Sequence, residues 1–170
     1  MERGKAERNE RRTLNLFMES FMPLAKNIMT KEVVTVLENT PVSEVAQILT
    51  DNHISGVPVL NTKKELVGIV CESDIIDQTK RFHLPTVINL MGYIVFLESG
   101  KKQEKEFKKM IGLTAAEIMT APVKTVTPET PLEDIATLMA ENRIHSIPVL
   151  EGKTLVGIIG KKDIVRSLAG

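Results

Sequence analysis

Asn52 to Ile75 reads NHISGVPVLNTKKELVGIVCESDI, and the passage returns at Asn142 to Ile164 as NRIHSIPVLEGKTLVGIIGKKDI. With Pro58 laid on Pro148 the copies stand ninety residues apart. At that offset Ile28-Met29-Thr30, Thr35-Val36, Thr40-Pro41, Ala46, Asn52, Ile54 and Val59-Leu60 all recur. Beyond them NTKKE shortens to EGKT and the offset drops to eighty-nine, so that Leu66-Val67-Gly68-Ile69 and Asp74-Ile75 meet Leu155-Val156-Gly157-Ile158 and Asp163-Ile164. A one-residue length change falls where chains tolerate it, in a polar turn. The chain is therefore one structural unit written twice.

Each copy predicts the same elements. A β-branched run, Val33-Val34-Thr35-Val36 or Val123 to Val126, reads as a strand. Thr-Pro follows, with threonine suited to cap a helix and proline to its first turn; Glu133, three residues after Thr130, completes a capping box in the second copy. Val42, Val45, Ala46 and Leu49, like Leu132, Ile135, Ala136 and Met139, fall at i, i+3, i+4, i+7, the stripe of a helix with one buried face. Two short strands, Val57 to Leu60 and Leu66 to Val70, and a closing helix from about Ser73 complete a β-α-β-β-α unit. The predicted class is mixed α+β, with three-stranded sheets and helices outside. A unit of about fifty residues is marginal alone. The two are expected to pack with pseudo-two-fold symmetry and leave two equivalent clefts along the seam.

Composition narrows the function classes. Of 170 residues, 42% are hydrophobic and 26% charged, a globular balance. Lysine plus arginine equal aspartate plus glutamate at 22 each, so no overall field favours nucleic acid or an anionic membrane. The longest apolar run, TVINLMGYIVFL, is far shorter than the roughly 20 residues of a spanning helix. The N-terminus MERGKAERNERR lacks the apolar core of a secretory signal, and the single cysteine, Cys71, has no internal partner; a cytoplasmic location is expected. The organisation reads as an N-terminal arm at 1–24, partly mobile, a first repeat at 25–78, an insert at 79–114 and a second repeat at 115–170. Within the insert, Tyr93, Ile94, Phe96 and Leu97 either cover a sheet edge or form a partner or dimer surface.

Catalytic signatures are absent: no G-x-S-x-G, no G-x-G-x-x-G, no P-loop and no pair of cysteines for zinc. His53, His83 and His145 would need to converge to hold a metal. Cys71 reads as a small buried side chain or a redox thiol.

The tandem pattern, hydrophobic-Met-Thr, then Thr-Pro, then hydrophobic-Pro-Val, then Val-Gly-Ile running into an aspartate, resembles a pair of cystathionine-β-synthase (CBS) domains, a Bateman module, over Ala25 to Asp77 and Ala115 to Leu168. The resemblance implies a G-h-h-[ST]-x-x-[DN] ligand motif whose acidic residue accepts hydrogen bonds from ribose. Gly68 and Asp74 match it in one copy, Gly157 and Asp163 in the other, while the hydroxyl position holds Cys71 and Gly160. A thiol hydrogen-bonds weakly and glycine offers only backbone, though Gly160 permits close approach of an anion to the helix N-terminus. The aspartates also suit a helix first turn with no ligand. By the same resemblance Thr35 and Thr125 are a second polar element, or ordinary strand residues. Adenine is expected against Met29, Val33, Ser55, Gly56 and Val57, or against Met119, Val123, His145, Ser146 and Ile147. Lys161, Lys162, Arg166, Arg143 and His145 gather cations around Asp163, whereas Cys71, Glu72 and Ser73 surround Asp74, with His53 in place of Arg143. The Asp163 cleft is expected to take phosphate, and Glu72 to repel it from the other.

These readings imply a regulatory module, not an enzyme. It binds an adenosine-containing small molecule, an adenine nucleotide or other adenosyl ligand, requires no cofactor, and acts as a homodimer or on a separate regulated protein. A ligand-independent dimerisation or scaffold module, its clefts filled by side chains, is the alternative that Cys71 and Gly160 favour. A hydrolase would require Asp74, His53 or Cys71 to converge on one substrate.

Overall fold

A computed structural model describes residues 23–81, 87–90, 93–96 and 112–169. Residues 1–22 of the expected N-terminal arm, His83, Leu97 and the charged half of the insert lie outside them. Within the insert, β4 (Val87–Leu90) and β5 (Tyr93–Phe96) pair as an antiparallel hairpin.

In the first repeat, β1 (Val36–Leu37) runs parallel to β2 (Gly56–Leu60), and β3 (Leu66–Cys71) pairs antiparallel with β2, setting Val57 opposite Val70. Helices α2 (Val42–Asp51) and α3 (Glu72–Arg81) complete the unit, α3 continuing past residue 78, where the sequence placed the repeat's end. The second repeat contains α5 (Leu132–Asn142), β6 (Ser146–Glu151), β7 (Thr154–Gly160) and α6 (Lys161–Ala169). The predicted apolar stripes are buried at Val42, Val45, Leu49, Leu132, Ile135 and Met139. Each contributes about 1.5–3 kcal/mol.

The first strands are shorter than the β-branched runs predict. Only Val36–Leu37 joins the first sheet, and in the second repeat a single parallel bridge from Val126 to Val149 remains. The cause lies upstream, where the chain pairs with the other repeat: Thr30 exchanges both backbone hydrogen bonds with Ile158 (2.9 and 3.0 Å), and Thr120 does so with Ile69 (2.9 and 3.2 Å). Residues 31–35 and 121–125 therefore cross between sheets and cannot extend either.

This crossing exchanges two short helices. α1 (Ala25–Ile28) opens the first repeat but delivers Ala25, Ile28 and Met29 to the core of the second. α4 (Ala115–Ile118) delivers Ala115, Ile118 and Met119 to the core of the first. The exchange also displaces the predicted caps. Thr40 Oγ1 accepts the N–H of Leu37 and Thr130 Oγ1 that of Thr127, closing the turns ahead of α2 and α5, whose N-caps are Pro41 and Pro131. The first-turn N–H of Val42 instead donates to Leu113 O, and that of Leu132 to Pro23 O, both supplied by the other repeat's lead-in. No box forms at Thr130 and Glu133; one forms at Thr114, whose N–H and hydroxyl both donate to Glu117 Oε2 and hold that carboxyl below its usual range.

Candidate functional site

The exchange explains two motif glycines. A Cβ on Gly68 would overlap the thioether of Met119, and one on Gly157 that of Met29, so each methionine seats across the seam on the opposite sheet. Close to the pseudo-two-fold axis, a Cβ on Gly56 would lie 3.1 Å from Cys71 Sγ and 3.2 Å from Ser146 Oγ. Ser146 is buried, and its hydroxyl lies 3.4 Å from that of Ser55.

Beside this contact opens a cleft of about 480 Å³. The first repeat supplies Thr30, Glu32 and Val34 from the segment leading to β1, His53 to Ser55 ahead of β2 and Gly56 at its start, and Glu72 at the start of α3. The second supplies His145, Ser146, Ile158 and Gly160, then Lys161, Lys162, Asp163 and Arg166 from the start of α6. Lys161 N–H donates to His145 O (3.1 Å), tying the helix start to the loop, and Lys162 Nζ reaches across the seam to His53 O at 3.5 Å.

Asp163 is the central carboxylate. Its side chain is 15% exposed, Oδ2 accepts the Gly160 N–H at 2.8 Å, and Oδ1 lies 3.6 Å from Arg166 Nη1. Asp74 is built alike, Oδ2 accepting the Cys71 N–H at 2.7 Å, but it also takes the Thr120 hydroxyl. Desolvation raises its carboxyl above the usual range, against the lowering by those two bonds, and Asp77 raises it further. Burial, then the charges of Asp74 and Glu72, push the Cys71 thiol up to about 12, the opposite of the activation a redox thiol requires.

Of the expected site residues, Asp163, Gly160, Lys161, His145, Ser146, Ser55 and Gly56 meet in this one cleft. Ser55 and Gly56, expected together with Met29, Val33 and Val57, line the same cleft as Asp163, because the lead-in to β2 and the start of α6 come from opposite repeats and meet at the seam. Met29 and Met119 pack in the cores, and Val57 and Ile147 are fully buried in their sheets. Val33, Thr35, Val123, Thr125 and Arg143 do not line this cleft, Arg143 ending α5 in the left-handed conformation at φ 54°. Glu72 and His53, which the sequence groups with Asp74, line the cleft of Asp163, since α3 begins on the far side of the same seam. Thr30, Glu32 and Val34 escaped the sequence reading, although the recurring Ile-Met-Thr pointed at their segment. Among the described residues no group of three or more His, Cys, Asp or Glu could hold a metal, and no helix is long and apolar enough to cross a membrane.

Comparison with known proteins places the chain in context. The CBS domain profile matches residues 25–80 and 115–170. The uncharacterized protein MJ1426 of Methanocaldococcus jannaschii is 32% identical over 155 residues, which cover 85% of this chain and 90% of that protein. The CBS domain pair of protein MJ0100, solved in complex with 5′-methylthioadenosine and S-adenosyl-L-methionine, superposes with a TM-score of 0.66 at 25% identity, over 88% of this chain and 98% of that one. CBSX2, solved in complex with AMP, gives a TM-score of 0.65 at 23% identity, over 86% of this chain and 96% of that one.

Proposed function

The chain belongs to the CBS domain family, and from that premise we propose that it is a cytoplasmic regulatory module, not an enzyme, that binds an adenosine-containing ligand between its repeats. The observation carrying this reading is the seam cleft, which is lined by the largely buried Asp163 at the start of α6 and by Ser55 and Gly56 of the other repeat. Asp163 Oδ2 holds the helix start, and Oδ1, next to Arg166, is suited to accept a ribose hydroxyl. The adenosyl ligands of MJ0100 support the ligand class. Because the two walls belong to different repeats, a ligand touching both shifts their packing equilibrium, which is the coupling a regulatory module needs.

The test is a thermal-melt and calorimetric series with AMP, ATP, 5′-methylthioadenosine and S-adenosylmethionine. A ligand at a hundred times its dissociation constant stabilises the native state by about 2.7 kcal/mol. Asp163→Ala is expected to weaken binding about ten- to a hundredfold, the loss of a hydrogen bond to a charged group. Absence of binding by all four ligands would overturn the proposal. One observation favours a second reading, a ligand-independent scaffold: both aspartates already serve the fold by accepting an amide N–H at their helix start. Under either reading the module acts as a homodimer or on a separate protein. Val165, 66% exposed on α6, and Ile76, 53% exposed at the matching position of α3, support self-association. Light scattering showing only a species near 18.9 kDa would remove it.

A further inference from the structure

The charges of the Asp163 cleft are divided by wall. α6 contributes the cations Lys161, Lys162 and Arg166 together with the carboxylate of Asp163, a net positive wall, while the first repeat contributes Glu32 and Glu72. Both glutamates are exposed, and among the described residues neither carboxylate makes an ion pair or hydrogen bond. The cations are less available than their number suggests: Arg166 neighbours Asp163, and Lys162 is directed at the His53 carbonyl. A cleft of about 480 Å³ equals a sphere about 10 Å across, near one Debye length at 0.1 M salt, so a ligand inside it feels both walls.

We infer that Glu32 and Glu72 are specificity-determining residues that make this cleft a charge filter. It takes an adenosyl ligand whose 5′ substituent carries a positive group as well as a negative one, and it disfavours the run of negative charges on a nucleoside triphosphate. The negative group of such a ligand faces Lys161 and the start of α6, and the positive group faces the two glutamates. A triphosphate long enough to leave the α6 wall meets the two exposed carboxylates. This inference rests on the adenosyl reading of the cleft and specifies the charge it accepts.

Calorimetric titration of the full chain and of Glu32→Gln/Glu72→Gln tests it, with S-adenosylmethionine, magnesium-free ATP and uncharged 5′-methylthioadenosine. The native chain is expected to bind S-adenosylmethionine more tightly than ATP. Removing two like charges from the wall is expected to shift the affinity ratio toward ATP by about tenfold or more, with 5′-methylthioadenosine changing less than about twofold. Native preference for ATP, or a ratio that does not move while 5′-methylthioadenosine still binds, overturns the charge filter and leaves the adenosyl reading intact. If 5′-methylthioadenosine does not bind the native chain and neither charged ligand does, the adenosyl reading itself fails and this inference falls with it.

Discussion

Gly68 and Gly157 are glycines because two methionines occupy the space a side chain would need. Gly68→Ala and Gly157→Ala are each expected to cost about 1–3 kcal/mol by overpacking. Truncating the facing Met119 or Met29 should relieve part of that loss, so the pair is non-additive in urea unfolding. Asp74 yields a prediction with a sign. Its folded carboxyl titrates above the unfolded value of 3.8, so the stability attached to its protonated form is present below that value and is lost as pH rises through the folded pKa. Ionised Asp74 thus burdens the fold at neutral pH. Asn in its place keeps an acceptor for the Cys71 N–H and a partner for Thr120. Asp74→Asn is expected to match or exceed native stability at pH 7, its advantage shrinking as pH falls through the raised folded pKa toward the unfolded value of 3.8 and changing little below it; thermal melts across pH 3 to 8 decide this, and a variant clearly less stable at pH 7 contradicts it. Cys71, with its thiol pushed up to about 12 by burial, should react with a thiol reagent at pH 7 more slowly than a free thiol, and a rate equal to that of free cysteine contradicts it.

At the scale of elements, α1 and α4 are four residues each, too short to persist in isolation, and are held by the repeat they did not come from. A chain beginning at Pro23 is expected to keep its unfolding transition. One beginning at Lys31 loses Ala25, Ile28 and Met29 from the second core and the Pro23 carbonyl from α5. It should lose roughly 3–6 kcal/mol in a denaturant titration; equal midpoints for the two would refute the exchange as a source of stability. The helical stripes of α2 and α5 and the β2–β3 and β6–β7 pairings were legible because their periodicity is local: the residues that decide them sit within a few positions of one another. The exchange was not legible. Val33 to Val36 has the composition of a strand whichever sheet it approaches, and Thr40-Pro41 has the chemistry of a cap, but the carbonyl that replaces the cap comes from Leu113, which no local pattern reveals.

Across the whole molecule, each half lacks a piece of its own core. Residues 23–81 and 112–169, produced separately, are each expected to show weakened folding that mixing restores; two independently cooperative halves would show that the seam is dispensable. The candidate site was legible to the same extent. Asp163, Gly160 and Lys161 could be read as neighbours because one helix start carries them. That Ser55, Gly56 and Glu72 face them across the seam depends on how the repeats dock, a relation between segments some ninety residues apart. That separation also has a consequence in time. Residues leave the ribosome in order at about 5–20 per second, so after α3 emerges the first core waits roughly 2–7 s for α4, and α1 waits longer still for β7. Throughout that interval Gly68 and the apolar residues beside it stand uncovered, and the nascent chain presents an open face to whatever holds unfinished proteins in the cell.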